Sequence, residues 1–117
     1  MYDNVASEYE KRIKSVINYM ETVPKQDLSL KALAEKGMFS PYHFHRIFKA
    51  FTGETPIEFL SRIRVQKAAS LLKYNKERNI TDIALAAGYD NSSSFSRSFK
   101  NYYGVSPSKF RKNQEGI

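Results

Sequence analysis

A chain of 117 residues can form one compact domain, or two very small ones sharing a core, and its eight Phe and eight Tyr exclude disorder throughout. The absence of cysteine excludes disulfides and thiolate zinc sites. No apolar run approaches the ~20 residues of a membrane span, and MYDNVASEYEKR does not read as a signal peptide. A net charge of +7 and a pI of about 9.6 favour an anionic partner: nucleic acid, acidic membrane or acidic protein.

Strand signals are nearly absent, and helix signals follow one another along the chain. Val5, Tyr9, Ile13, Val16, Ile17 and Met20 recur at spacings of three and four and predict a helix over about 5–21. Thr22–Pro24 should end it, because a residue before proline avoids the α region. Glu8, Glu10, Lys11 and Arg12 read as its solvated face. Leu30, Leu33 and Ala34 open a short second helix that stops near Gly37. Ser40-Pro41 suits an N-cap followed by the first turn, and that helix runs to about Thr52 before Gly53. Thr55-Pro56-Ile57-Glu58 carries an N-cap, a proline at N1 and a capping-box Glu. The helix it opens continues to about Tyr74, with Phe59, Leu60, Ile63, Ala68, Leu71 and Leu72 as its apolar stripe. After the polar KYNKERN connector, a short helix begins at Ile80 and ends at Gly88. Another spans about Ser92 to Tyr103, ahead of Gly104. Ser106-Pro107 opens a last short helix, and KNQEGI reads as a fraying tail.

This pattern contains a repeat. Leu30/Ile80, Leu33/Ile83, Ala34/Ala84 and Phe39/Tyr89 match at an offset of 50. The offset then becomes 51: Phe44/Phe95, Arg46/Arg97, Phe48/Phe99, Lys49/Lys100, Phe51/Tyr102, Gly53/Gly104, Pro56/Pro107 and Phe59/Phe110. A short helix, a turn and a longer helix make the outline of a helix-turn-helix, used twice. The expected fold is all-α, with about seven helices in two helix-turn-helix subdomains joined by a long linker helix. The corresponding segments are 1–54, 55–74 and 75–117.

At 100° per residue the longer helices divide into two faces. Phe44, Ile47, Phe48 and Phe51 point one way, opposite Tyr42, His45, Arg46 and Lys49. Phe95, Phe99 and Tyr102 point inward, opposite Ser93, Ser96, Arg97 and Lys100. Two outward faces that each carry Arg, Lys and hydrogen-bonding neighbours suit contact with a periodic anion, since Arg can bond a guanine edge through two donors. Successive major-groove faces of B-DNA lie about 34 Å apart. A helix over 56–74 is roughly 28 Å long, so it could serve as the strut between them. An all-helical module that binds an acidic protein through its basic face is the competing reading. Steep salt dependence and preference for one duplex would separate the two.

LAEKGMFSPYHFHRIFKAFTGETPIEFL and ITDIALAAGYDNSSSFSRSFKNYYGVSPSKFR resemble the two halves of the DNA-binding domain of the AraC/XylS family of bacterial transcription regulators. The resemblance covers about 28–112. It implies two recognition helices in adjacent major grooves and a sequence-specific regulator, an activator, working in the cytoplasm on the nucleoid. By motif position, the base-facing residues are Tyr42, His45 and Arg46 in the first helix. In the second they are Ser92, Ser93, Ser96 and Arg97. Lys49, Lys100, Arg111 and Lys112 are phosphate candidates, with Ser40 and Asn91 at helix N-termini. With small serines in the second helix, direct base readout there should be sparse, led by Arg97 and aided by DNA shape. Double-stranded DNA is the expected partner, with RNA polymerase a further one. No membrane and no cofactor are implied. The resemblance fits a stand-alone regulator or the N-terminal piece of a longer chain. A small-molecule effector is expected only if a separate C-terminal domain exists.

One place departs from the family pattern. The first turn has Gly37-Met38 where the second has Gly88 directly before its aromatic. Either that turn is re-registered or Met38 takes a positive φ. His43 and His45 have no cysteine or third histidine near them in sequence, and i, i+2 side chains leave a helix on different sides, so neither a metal site nor a catalytic site is expected. Arg62 and Arg64 lie on the strut helix, each open to a phosphate contact or a structural ion pair.

Overall fold

The computed structural model describes residues 2–22 and 28–115. Among them are seven helices and no strand: α1 (Tyr2–Thr22), α2 (Leu30–Lys36), α3 (Pro41–Thr52), α4 (Pro56–Tyr74), α5 (Ile80–Ala86), α6 (Ser92–Tyr103) and α7 (Pro107–Glu115). The proposed stop at Pro24 lies outside the described residues.

Capping side chains set most of these boundaries. Ser29 and Ser40 accept the N–H groups of Ala32 and His43 at 3.2 and 3.3 Å, and open α2 and α3. Asn79 and Asn91 accept those of Asp82 and Ser94 at 2.7 and 2.8 Å, and open α5 and α6. At α4 the capping box closes in both directions. The Glu58 N–H donates to Thr55 Oγ1 at 3.1 Å, and the Thr55 N–H donates to Glu58 Oε1 at 2.9 Å. Gly53 and Gly104 end α3 and α6 in the left-handed region, at φ 83° and 81°. α7 runs further than its polar sequence suggests, taking Lys112 to Glu115 into the helix rather than a fraying tail.

The chain divides into two compact units, Met1–Leu60 and Ser61–Ile117, with the cut inside α4. The core of the first contains Ile13, Val16, Met20, Leu33, Ala34, Phe39, Phe44, Phe48 and Leu60. The core of the second contains Val65, Ala68, Leu72, Ile83, Ala84, Ala87, Phe95 and Phe99. The same ring chain runs through both. Phe44 meets Phe48 at 5.4 Å between centroids and Phe48 meets Phe59 at 5.3 Å; Phe95 meets Phe99 at 5.6 Å and Phe99 meets Phe110 at 5.2 Å.

Five residues depart from the sequence expectation. Phe51 and Tyr102 are not core; they are 42% and 48% exposed. Each lies in the last turn of a twelve-residue helix about 18 Å long, beyond the reach of a seven-residue partner of about 10 Å. Val5 is exposed near the start of α1, while Val65, absent from the expected stripe of α4, is buried. Arg12 is not on a solvated face. Its Nε donates to the Gly37 carbonyl at 2.7 Å, an Nη2 donates to the Met38 carbonyl, and its guanidinium lies 3.9 Å from the Phe39 ring centre.

Candidate nucleic-acid interface

α3 and α6 are held by their phenylalanines, and this decides what they offer outward. With Phe44 and Phe48 fully buried, Tyr42, His45, Arg46 and Lys49 are exposed. An Arg46 Nη1 donates to the Tyr42 hydroxyl at 3.1 Å, and the guanidinium lies 5.8 Å from that ring's centre. The pair forms one polar, partly preorganised edge along a single turn. With Phe95 and Phe99 fully buried, Ser93, Arg97 and Lys100 are exposed, and Ser92 and Ser96 are half-buried. Neither α3 nor α6 contains an Asp or Glu, so nothing on either helix opposes an anion.

The phosphate candidates fall into three groups. Lys49, Lys100 and Lys112 are exposed. Ser40 and Asn91 spend an acceptor atom on capping; Asn91 Oδ1 also accepts the Ser94 hydroxyl at 3.0 Å. Arg111 is half-buried, with its Nε donating to the Leu72 carbonyl at 3.4 Å and its Nη2 to the Asn75 carbonyl at 3.1 Å. That places a cation at the C-terminal end of α4, on one carbonyl of its last turn and one just past it, a stabilising position for the helix dipole.

Several residues here were not legible from periodicity. A cleft of about 430 Å³ in the second unit is lined by Ser61 and Val65 of α4 and by Ser94, Arg97, Ser98, Asn101 and Tyr102 of α6. The Ser98 and Tyr89 hydroxyls share a hydrogen bond of 3.2 Å beneath α6. Arg64 is half-buried against Gly88. Burial pushes its pKa below the ordinary arginine value, while Tyr89 and Asp90 pull it back up. The guanidinium stays charged. His43 is half-buried, edge-on to Tyr9 and Phe39 at 5.5 and 5.4 Å, and His45 is exposed. Among the described residues no group of three or more His, Cys, Asp or Glu could hold a metal, and no helix is long and apolar enough to cross a membrane.

Two helix-turn-helix units, each presenting a basic outer helix without carboxylates, define a DNA-binding domain. Residues 33–113 match the family described as a helix-turn-helix domain. The chain belongs to the AraC/XylS family of helix-turn-helix transcription regulators. It is 34% identical over 106 residues to the probable transcription factor PqrA of Proteus vulgaris, covering 89% of this chain and 86% of that protein. It is 38% identical over 103 residues to an uncharacterized helix-turn-helix transcriptional regulator of Haemophilus influenzae, covering 88% of this chain. This chain spans only 34% of that regulator's length. The fold also matches the DNA-binding domain of AdpA, solved in complex with a target DNA, with a TM-score of 0.84 at 22% identity over 89% of this chain and 93% of that one.

Proposed function

We propose that this chain recognises one specific double-stranded DNA site by placing α3 and α6 in adjacent major grooves, and that it activates transcription from there. The observation that carries the reading is the doubled presentation of Arg46 with Lys49 and of Arg97 with Lys100. Each pair is exposed on a helix whose opposite face is buried phenylalanine. Arg46 and Arg97 read base edges, with Tyr42, His45, Ser92, Ser93 and Ser96 beside them. Lys49, Lys100 and Lys112 neutralise phosphates, and the N-termini at Ser40 and Asn91 approach the backbone. Arg111, with donors on the Leu72 and Asn75 carbonyls at and just past the end of α4, serves the fold instead. No catalytic step, metal or cofactor enters this function. Its setting is the cytoplasm, on the nucleoid, with RNA polymerase as the partner of activation. A small-molecule effector belongs to a separate domain if the protein has one.

Selection from a random duplex library tests this. The enriched duplex should bind at least ~10³-fold tighter than random DNA, with affinity falling steeply as salt rises. Arg46→Ala and Arg97→Ala should each lose ~1–3 kcal/mol and relax preference at different base pairs about one helical turn apart. Lys49→Ala should weaken all duplexes alike. Equal affinity for every sequence, or relaxation by both Arg variants at one base pair, would refute the two-groove reading.

A further inference from the structure

The internal repeat is deeper than the two helix-turn-helix units. At an offset of 52, α1 and α4 match as well: Ile13/Val65, Val16/Ala68 and Met20/Leu72 are all buried at the same relative places. The same offset pairs Arg12 with Arg64, and both are half-buried. Each unit is therefore a long helix followed by its helix-turn-helix, and each long helix sends an arginine to the turn.

The two turns are equivalent in backbone. The Phe39 N–H donates to the Ala34 carbonyl at 2.9 Å, and the Tyr89 N–H to the Ala84 carbonyl at 3.0 Å. The preceding residue is left-handed in both, Met38 at φ 61° and Gly88 at φ 100°. Arg12 forks onto the Gly37 and Met38 carbonyls, with its guanidinium carbon 3.9 Å from the Phe39 ring centre. Arg64 lies along Gly88, its Nε 3.1 Å from where a Cβ would stand and its Cδ and Cζ at 3.6 Å. Only a few residues then separate each turn from the cap of the recognition helix, Ser40 or Asn91. A left-handed turn that shifts re-aims everything after it.

We infer that Arg12 and Arg64 are equivalent positioning residues, each fixing the turn that aims one recognition helix and so governing base selection by that helix without contacting DNA. This rests on the two-groove reading, with one part that does not. The turn itself can be followed by amide hydrogen exchange in the whole chain without DNA.

Arg12→Lys keeps the charge but loses the rigid planar fork and its contact with the Phe39 ring, and Arg64→Lys loses the guanidinium beside Gly88. Arg12→Lys should speed exchange at Met38 and Phe39 by roughly 10-fold, the effect of a ~1.4 kcal/mol loss, and leave Gly88 and Tyr89 unchanged. Arg64→Lys should do the reverse. Unchanged exchange at the near turn would overturn the clamp whether or not any DNA site is found.

On the duplex selected with the unmodified protein, each variant should lose discrimination at the base pairs read by its own helix. The slope of log affinity against log salt should stay the same. A slope smaller by about one would instead mark a phosphate contact and overturn the proposal. So would an equal loss on selected and random duplexes. Adding Met38→Gly to Arg12→Lys should recover most of the lost discrimination, because glycine holds a left-handed turn without the fork. No recovery would overturn the role assigned to Arg12.

Discussion

Gly37 and Met38 stand where the second unit has Ala87 and Gly88, and the reason is a volume exchange one helix away. A Cβ on Gly37 would lie 2.9 Å from Val16 Cγ2 and 3.1 Å from Phe39 Cδ2. In the repeat the counterpart of Val16 is Ala68 and that of Gly37 is Ala87, and both alanines are buried in the second core. Valine with glycine fills one unit and alanine with alanine fills the other. Glycine is thus required at 37 for space and is not at 38, where a left-handed Met38 is tolerated with its side chain 71% exposed. Gly37→Ala should destabilise the chain by ~1–3 kcal/mol through overpacking. Val16→Ala should lose a similar amount through its cavity. The double variant should be more stable than the two losses summed by ~1 kcal/mol or more, measured from urea midpoints with unchanged slope. Strict additivity would show that the two sites do not compete for volume. The two options for Met38 could be written down from the sequence, but not the choice between them. That choice depends on pairing Val16 with Ala68, which needs α1 aligned on α4. Arg12 was misread for a related reason: helical periodicity gives a side chain's direction, not what stands opposite it.

Helices were the most legible level because their ends are chemically marked. Ser40, Thr55 and Ser106 mark helix starts by their place before Pro, and each accepts an N–H three residues on, as Asn91 does at α6. At α5 the cap is Asn79, whose side chain accepts the N–H of Asp82 in the first turn. Interior faces were legible through Phe48 and Phe99, and failed in the last turn at Phe51 and Tyr102, where the covering helix has ended. The capping box at α4 has a pH signature. The Thr55 backbone N–H, then its hydroxyl, hold the Glu58 carboxyl below its ordinary value of 4.5. A depressed folded-state pKa means the unfolded chain takes up the proton first. The stabilisation from Glu58 is therefore complete above the ordinary value and is lost as pH falls through the lower folded value. Glu58→Gln should melt lower than the unmodified protein near neutral pH, and the two melting temperatures should converge as pH falls well below the ordinary carboxylate value. A gap that stays constant across that range would mean the carboxylate charge plays no part in the cap. The effect is small, since Glu58 is exposed.

At the scale of the molecule, one pattern is used twice and overlaps itself in α4. Phe59, in the second turn of α4, packs on Phe48, while Phe110, in the corresponding turn of α7, packs on Phe99. The first turns of α4 thus close one unit, and the rest, from Val65 to Leu72, forms the floor of the next. The helix-turn-helix part of this repeat was legible because Phe, Gly and Pro are retained at it. The long-helix part was not, because α1 and α4 share only apolar positions and one arginine. Connectors of unequal length, between Thr22 and Leu30 and between Tyr74 and Ile80, also shift the register. On the two-groove proposal, the residue count of α4 becomes part of recognition. Inserting one alanine between Ser61 and Arg62 leaves Leu60 with its own unit and Val65 with the other. It turns everything beyond by about 100° and advances it by about 1.5 Å. If α3 and α6 engage one duplex together, the second contact is effectively intramolecular, and losing simultaneous engagement removes about 10²–10⁴-fold in affinity. The insertion variant should keep its cooperative melt and its low-salt binding to random DNA, while its affinity for the selected duplex falls by that factor. Unchanged affinity for the selected duplex would mean that one recognition helix suffices and that the second basic face serves something else.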